Sequence, residues 1–281
     1  MRFGAHLSIV GGYSEALKRA QNIGADSLQI FSSPPRNWRL NKPDKKSVEL
    51  FLQTKKELGI DPVYFHATYL INLAGEDAVA ERSVEFLIKE LNIASTLGIR
   101  GSIIHLGSFK GHKTQEAYKK FLKNIEKVLL KIPQDSMFII EGAGNRKIGV
   151  TLEEIAEIIN DLEDKRVKVC LDTCHLWSAG YDISDIKKFD QFLKEFDAKI
   201  GLEKLEAWHV NDSRDPFASL RDRHENIGQG TMGLKTFKAF LNNKKINDRA
   251  FIIETPGFDG NGPDKKNLDI LKKLATNAST P

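Results

Sequence analysis

The sequence of 281 residues predicts a single (β/α)8 barrel over residues 1–281. Eight short β-rich runs alternate with eight longer amphipathic stretches, an order typical of a closed parallel sheet ringed by helices. The main alternative is a doubly wound sheet that binds a nucleotide. No Gly-rich phosphate-binding sequence follows the first run, which counts against that alternative. Neither a linker nor a low-complexity segment divides the chain.

The predicted strands are short runs rich in β-branched and aromatic residues. They cover residues 2–9, 27–31, 63–66, 102–106, 137–141, 168–172, 206–210 and 250–255. The predicted helices carry apolar residues at helical spacing, and two of them end at Gly59 and Gly98. They cover residues 14–20, 45–58, 77–97, 115–130, 152–162, 183–196, 234–241 and 267–274.

Composition indicates a soluble globular protein, with 41% hydrophobic and 28% charged residues. No apolar run reaches membrane-spanning length, and the N-terminus lacks the core of a signal peptide. Only Cys170 and Cys174 occur, which excludes a disulfide scaffold and predicts a cytoplasmic protein. The net charge of +4 permits a nucleic-acid partner without arguing for one. We expect a monomer with no membrane partner.

Six of the predicted strands end at a side chain that can bind a metal. These residues are His66, His105, Glu141, Asp172, His209 and Glu254. In a (β/α)8 barrel such positions meet at the C-terminal rim, where active sites lie. A single case is best explained as a polar rim residue or a hydrogen-bonded core histidine. Six together favour a metal site, because carboxylates buried without cations would be costly.

Two loops add three further candidates. His175 follows Asp172 by three residues, and Asp222 and His224 can point the same way in an extended loop. The nine candidates exceed the four or so ligands that one zinc ion takes, so two or three ions are implied. His6 ends the first strand and is expected to line the site without binding metal, whereas His112 lies in a basic loop and is expected to be solvated.

Several motifs resemble the signatures of the endonuclease IV family of apurinic/apyrimidinic endonucleases. The resemblance runs from end to end, and the motifs are long enough to be specific. They are Gly4-Ala5-His6 with Gly11-Gly12, His66-Ala67-Thr68-Tyr69-Leu70-Ile71-Asn72-Leu73, Asp172-Thr173-Cys174-His175 with Ala179-Gly180-Tyr181-Asp182, His209-Val210-Asn211-Asp212-Ser213, and Asp222-Arg223-His224-Glu225-Asn226-Ile227-Gly228-Gln229-Gly230. One departure follows Glu141, where Gly142-Ala143-Gly144 replaces the Asn-Thr-Ala-Gly run usual in the family.

The resemblance implies a barrel with three zinc ions, with Mn²⁺ as an alternative at one site. It implies one ion held by His66, His105 and Glu141, a second held by Glu141, Asp172, His209 and Glu254, and a third held by His175, Asp222 and His224. The implied activity is hydrolysis of the phosphodiester bond 5′ to an abasic site in double-stranded DNA. We expect Glu141 and Glu254 to be catalytic, with Glu254 orienting the attacking water.

Residues on the rim loops are expected to bind the DNA. A damaged nucleotide must leave the base stack before its phosphate can reach the ions, and bulky loop residues can take its place. The candidates are Arg36, Trp38, Tyr69, Leu70 and Arg223, of which the family inserts residues at the Arg36 and Tyr69 positions. Trp38 could instead anchor its loop to the core. Further candidates for phosphate contacts, with solvated surface as the alternative, are Arg39, Lys110, Lys113, Arg214 and Arg221.

Two other functions remain open from the residues alone. A metal-dependent sugar isomerase or epimerase on the same barrel also places His, Asp and Glu at strand ends, but it has no use for the Asp222-Arg223-His224 loop. A barrel that binds nucleic acid without cutting it would not need the complete ligand set. Cys174 lies beside candidate ligands, but buried packing is the expected role of both cysteines.

Overall fold

The computed structural model describes residues 1–111 and 113–276, so the expectation for His112 lies outside the described residues. Its strands are β1 (Arg2–Leu7), β2 (Ser27–Phe31), β3 (Val63–His66), β4 (Gly101–Ile104), β5 (Met137–Glu141), β6 (Val167–Asp172), β7 (Leu205–His209), β8 (Asp212–Ser213), β9 (His224–Glu225) and β10 (Ala250–Ile253). Eight of them close into a parallel barrel in the order β1-β10-β7-β6-β5-β4-β3-β2. The predicted fold class is confirmed.

The helices are α1 (Tyr13–Asn22), α2 (Lys45–Leu58), α3 (Asp77–Thr96), α4 (Gln115–Leu129), α5 (Leu152–Leu162), α6 (Thr173–Ala179), α7 (Ile186–Lys199), α8 (Gly233–Leu241) and α9 (Lys265–Thr276). The eight predicted helices correspond to all of these except α6. Helix α6 was missed because seven residues are too few to show a helical period. The antiparallel pair β8 and β9 was also missed, since each strand has only two residues. None of the helices in the described part of the chain is long and apolar enough to cross a membrane.

Alternation along the strands divides the apolar residues into two cores. One small cluster fills the barrel interior and consists of Tyr64, Ile103, Ile139, Cys170, Ala207, Ala250 and Ile252. Their sequence neighbours point outward and pack beneath the helices, as Phe65, Ile104, Ile140, Leu171 and Trp208 do. Because successive side chains in a strand point to opposite faces, the residue two positions after an interior residue also points inward.

Candidate metal centre

The six strand-end residues all stand above the interior cluster. His66 comes two residues after Tyr64, Glu141 two after Ile139, and His209 two after Ala207. The same step leads from Ile103 to His105, from Cys170 to Asp172 and from Ile252 to Glu254. Each of these side chains therefore points into the mouth of the barrel at the carboxyl ends of the strands.

Glu141 lies at the centre of this mouth, and its two oxygens face different histidines. Oε2 lies 3.1 Å from His66 Nε2 and 3.4 Å from His105 Nε2. Oε1 lies 3.1 Å from His209 Nδ1 and 3.4 Å from His175 Nδ1. Burial alone would raise the pKa of Glu141, but interactions with the histidines, His105 and His209 foremost, hold that pKa well below its usual range. The arrangement suits a carboxylate that bridges two sites.

Asp172 connects the inner part of the site to α6. Its Oδ1 accepts the backbone N–H of Cys174 at 2.6 Å and that of His175 at 3.3 Å, which makes Asp172 the N-cap of α6. Its Oδ2 accepts from Asn211 Nδ2 at 2.8 Å and lies 3.8 Å from His209 Nδ1. Asp172 thus begins the helix that carries His175 and also turns an oxygen to its own group, which we call the inner cluster and which consists of Glu141, Asp172, His209 and Glu254.

An outer cluster forms around Asp222. Its Oδ1 lies 3.0 Å from His175 Nε2 and 3.4 Å from His224 Nε2. Burial raises the pKa of Asp222, but the two imidazoles outweigh that effect and the pKa lies below its ordinary value. In four groups every member offers a ligand atom within 4.8 Å of the others: His66, His105 and Glu141; Glu141, Asp172, His209 and Glu254; His175, Asp222 and His224; and Asp172, Cys174 and His224. All nine predicted ligands belong to these groups.

The imidazole rings are oriented by hydrogen bonds on their far sides. His66 Nδ1 lies 2.8 Å from the carbonyl oxygen of Ala67, and His175 Nδ1 lies 2.8 Å from that of Gly142. Since a carbonyl oxygen only accepts, each ring carries a proton on Nδ1, so Nε2 of His66 faces Glu141 and Nε2 of His175 faces Asp222. Gly142 belongs to the run that departs from the family pattern, so this departure includes the residue that orients His175.

The donor set fits divalent cations. His175 Nε2 and His224 Nε2 are buried and have no hydrogen-bond partner among the described residues, although Asp222 Oδ1 is close to both. Two imidazole nitrogens and a carboxylate oxygen that converge at these distances need a positive charge between them, and a divalent cation can supply it. Mixed imidazole and carboxylate ligands suit zinc and similar metals.

The loop that carries Asp222 and His224 is built around the buried carboxylate of Asp212. This carboxylate accepts the backbone N–H groups of Ser213, Gly228, Gly230 and Met232 at 2.8 to 3.1 Å. A Cβ at Gly230 would lie 2.3 Å from the carbonyl oxygen of Ser213, so only glycine permits this approach. The Gly228-Gln229-Gly230 motif thus wraps the chain around Asp212.

Comparison with known proteins identifies the family. Residues 17–274 match the family described as xylose isomerase-like TIM barrel. A probable endonuclease 4 of Persephonella marina is 38% identical over 282 residues, which cover 99% of this chain and 98% of that protein. The chain belongs to the endonuclease IV family of apurinic/apyrimidinic endonucleases. It is therefore a nuclease and a hydrolase.

Solved structures agree with this membership of the endonuclease IV family. The crystal structure of endonuclease IV from Thermus thermophilus superimposes with a TM-score of 0.87 at 32% identity and covers 99% of this chain and 100% of that one. A D-tagatose 3-epimerase-like protein superimposes with a TM-score of 0.70 at 18% identity, covering 99% and 98% of the two chains. At that identity the likeness to the epimerase-like protein concerns the fold alone.

Two residues expected to insert into DNA lie on neighbouring rim loops that are tied together. The backbone N–H of Tyr69 donates to the carbonyl of Pro35 at 3.0 Å, and Thr68 Oγ1 donates to the same oxygen at 2.7 Å. Arg36 is exposed, and Tyr69 is 54% exposed with its ring centroid 5.7 Å from that of His66. The structure therefore places an exposed ring beside the candidate ligand His66, and the loop of the exposed Arg36 is hydrogen-bonded to the loop of that ring.

The side chains of the other three DNA-contact candidates are half-buried or held in an ion pair. Trp38 is half-buried, packs edge-on against Phe86 and lies beneath the guanidinium of Arg82, which are the contacts of a loop anchor. Leu70 is half-buried. Arg223 is paired with Asp215 at 2.5 and 2.7 Å, yet its side chain remains 56% exposed.

Sequence reasoning missed the residues that hold the ligands in place. Gln29 lies 2.7 Å from His209, and the amide of Asn211 links Asp172 to the backbone of Glu254. His6, by contrast, was expected to line the site and does so, with Nδ1 3.0 Å from Glu254 Oε1. A signal for Gln29 was present, because a polar residue between Leu28 and Ile30 in a buried strand must find a hydrogen-bond partner.

Proposed function

We propose that this protein is a zinc-dependent DNA repair endonuclease of base excision repair. It hydrolyses the phosphodiester bond 5′ to an abasic site, leaves a 3′-hydroxyl and a 5′-deoxyribose phosphate, and also removes 3′ blocking groups. The observation that supports this most strongly is the position of Glu141, whose two oxygens face separate sets of histidines. A bridging carboxylate of this kind suits the close pair of ions that phosphodiester hydrolysis uses.

Three zinc ions would be held by the groups already described. His66, His105 and Glu141 would hold the first, and Glu141, Asp172, His209 and Glu254 the second. His175, Asp222 and His224 would hold the third, with Mn²⁺ as an alternative at one site. When bound, such ions lower the pKa of water and neutralise charge on the phosphate and on the leaving 3′ oxygen.

The residues of the chain orient the reacting groups. Glu254 Oε1 is held 2.6 Å from Gln29 Nε2 and 3.0 Å from His6 Nδ1, which leaves Oε2 on the side of the inner cluster. In that position Glu254 can accept a hydrogen bond from the attacking water and fix its direction. Glu141 acts as the bridge between the first two sites.

Double-stranded DNA containing an abasic site is the proposed partner, bound by a monomer in the cytoplasm. Arg36 would enter the duplex beside the lesion and contact a backbone phosphate, and Tyr69 with Leu70 would fill the space of the displaced nucleotide. Arg223 would present the exposed part of its guanidinium to a phosphate while Asp215 holds its other face. Trp38 would act through the Arg36 loop that it anchors.

The decisive experiment uses a labelled duplex with one abasic site. We expect a single nick on its 5′ side, with an end that a DNA polymerase can extend, and no nick in the undamaged duplex. Activity should survive mild chelation of magnesium, disappear when zinc is removed and return when zinc is added. Duplexes with a 3′ phosphate or phosphoglycolate test the removal of blocking groups.

Failure to nick would overturn the proposal, and turnover of a ketose or aldose by the same preparation would point to the sugar isomerase alternative. Binding of the abasic duplex without cleavage by the zinc-loaded protein would indicate the third alternative, a barrel that binds nucleic acid only.

A further inference from the structure

Gln29 has a polar side chain between two apolar residues in the middle of β2. It is fully buried in β2 between Leu28 and Ile30, which are also fully buried. A buried primary amide needs an acceptor for its nitrogen and a donor for its oxygen. The acceptor Glu254 and the donor His209 are both candidate metal ligands, and they lie 225 and 180 residues away along the chain.

The direction of the Gln29 amide follows from its partners. Nε2 lies 2.6 Å from Glu254 Oε1 and 2.8 Å from His6 Nδ1, and Oε1 lies 2.7 Å from His209 Nε2. An ionised carboxylate only accepts hydrogen bonds, so the amide nitrogen must face Glu254. The amide oxygen then faces His209, and because that oxygen only accepts, His209 must carry its proton on Nε2.

The ring of His209 is oriented in the opposite way to the rings of two other histidines of the site. His66 and His175 are held at Nδ1 by backbone carbonyls and turn Nε2 inward. His209 is held at Nε2 by a side chain and turns Nδ1 inward, 3.1 Å from Glu141 Oε1 and 3.3 Å from Glu254 Oε2. A ring nitrogen can ligate a metal only if its proton is on the other nitrogen.

We propose that Gln29 is a positioning residue for the inner metal site, where one amide fixes both the proton of His209 and the rotation of the Glu254 carboxylate. As a result, His209 Nδ1 and Glu254 Oε2 face the same position. This inference rests on the proposed function for the assignment of His209 and Glu254 to one ion.

The wild-type protein provides the first test. Long-range ¹H–¹⁵N correlation spectra of the ¹⁵N-labelled, zinc-loaded protein distinguish the two imidazole tautomers. We expect His209 to carry its proton on Nε2, and His66 and His175 to carry theirs on Nδ1. A His209 proton on Nδ1 would overturn the inference. Absence of zinc uptake would instead sink the proposed function, and the tautomer in the metal-free protein at alkaline pH would still decide the role of Gln29.

Two substitutions test the consequence for the metal. Gln29→Met has a side chain of similar length without either hydrogen bond, and Gln29→Glu keeps an acceptor for His209 but loses the donor to Glu254. The matched control is Ser27→Ala, because Ser27 is buried two residues earlier on the same face of β2 and its hydroxyl makes no hydrogen bond within the part of the chain that the structure describes. The measurements are zinc per protein, zinc retained during chelator titration, and thermal unfolding of the metal-free forms.

We expect Gln29→Met to hold one zinc ion about 10- to 100-fold more weakly and to retain the other two, as is typical when a residue behind a ligand is lost. Unlike Gln29→Met, Gln29→Glu should keep the proton of His209 on Nε2. Ser27→Ala should match the wild type in all three measurements. Unchanged retention of all the ions, or equal weakening of all of them, would contradict the proposal. If Gln29→Met does not fold, the wild-type spectrum and Gln29→Glu carry the test.

Discussion

The backbone N–H of Ala218 donates to the carbonyl of Trp177 at 3.0 Å, although Ala218 is in the left-handed region with φ 58°. Two residues later Leu220, with φ 53°, donates in the same way to the carbonyl of Ser178. These bonds satisfy carbonyl groups at the end of α6, which carries His175, and the loop that makes them leads on to Asp222. The helix of His175 and the loop of Asp222 are thus connected by residues whose backbone is strained by a positive φ.

Ala218→Gly should stabilise the metal-free protein by about 0.5–1 kcal/mol. Glycine adopts a positive φ without the steric cost of a Cβ, and this gain exceeds the entropy it adds to the unfolded chain. Urea unfolding measures the change. Ala239→Gly, in the interior of α8, is the control and should destabilise by about 1 kcal/mol. Destabilisation by Ala218→Gly would show that the left-handed conformation is not strained.

Glu90→Gln should change how stability depends on pH. Burial raises the pKa of Glu90 above its ordinary 4.5, and hydrogen bonds from Ser102 and Ser32 offset this only in part, as does the charge of His66. The folded state therefore keeps a proton that the unfolded chain releases. The stability contributed by Glu90 is complete below about pH 4.5 and is lost as the pH rises through the folded pKa.

Glutamine does not ionise, so the free energy of unfolding of Glu90→Gln should increase relative to that of the wild type as the pH rises. The gain is about 1.4 kcal/mol for each unit by which the folded pKa exceeds the unfolded one. Urea unfolding of both metal-free proteins across a pH series gives the difference, which should be smallest at low pH, where Glu90 is protonated in both states. A difference that is constant with pH would contradict the raised pKa.

Glu254→Gln should reduce turnover by about 100-fold or more while the affinity for abasic duplex changes little. The amide loses the charge that would accept a hydrogen bond from the attacking water, whereas the rim loops proposed to bind DNA stay in place. Single-turnover cleavage and binding assays measure the two effects separately. Glu15→Gln, an exposed carboxylate in the first turn of α1, should leave both unchanged. Equal losses in turnover and binding would refute the orienting role.

Arg36→Ala should weaken binding to the abasic duplex and make it less sensitive to salt. Losing one phosphate contact lowers the slope of log K against log salt by about one. Arg2→Ala serves as a control, because Arg2 begins β1 at the opposite end of the barrel and is also exposed. An unchanged affinity across the salt series would exclude the contact.

Cys174→Ala should leave the zinc content of the protein unchanged. Cys174 forms a group with Asp172 and His224, but its Sγ lies 3.8 Å from the carbonyl oxygen of Arg223, to which it can donate, and the outer cluster is complete without it. Elemental analysis of the purified variant measures the zinc. His224→Ala should lose one ion and provides the positive control, and a similar loss in Cys174→Ala would make the thiol a ligand.

Much of the site follows from local pattern alone. A strand that ends in His66, Glu141 or His209 places that side chain on the interior face, because alternation has a period of two and the parallel strands end at one rim. The same pattern locates the other strand-end ligands, and loop spacing adds Asp222 and His224. These conclusions need no knowledge of which strands are neighbours.

The sequence by itself therefore determined the barrel, its strand ends and the residue types gathered at its mouth. Only the tertiary structure decided that Glu141 divides its oxygens between two sets of histidines, that Asp172 caps α6, and that Gln29 fixes His209 across 180 residues of chain. The physical reason is that a local pattern specifies which face a side chain occupies, whereas hydrogen-bond direction depends on atoms brought together only when the barrel closes.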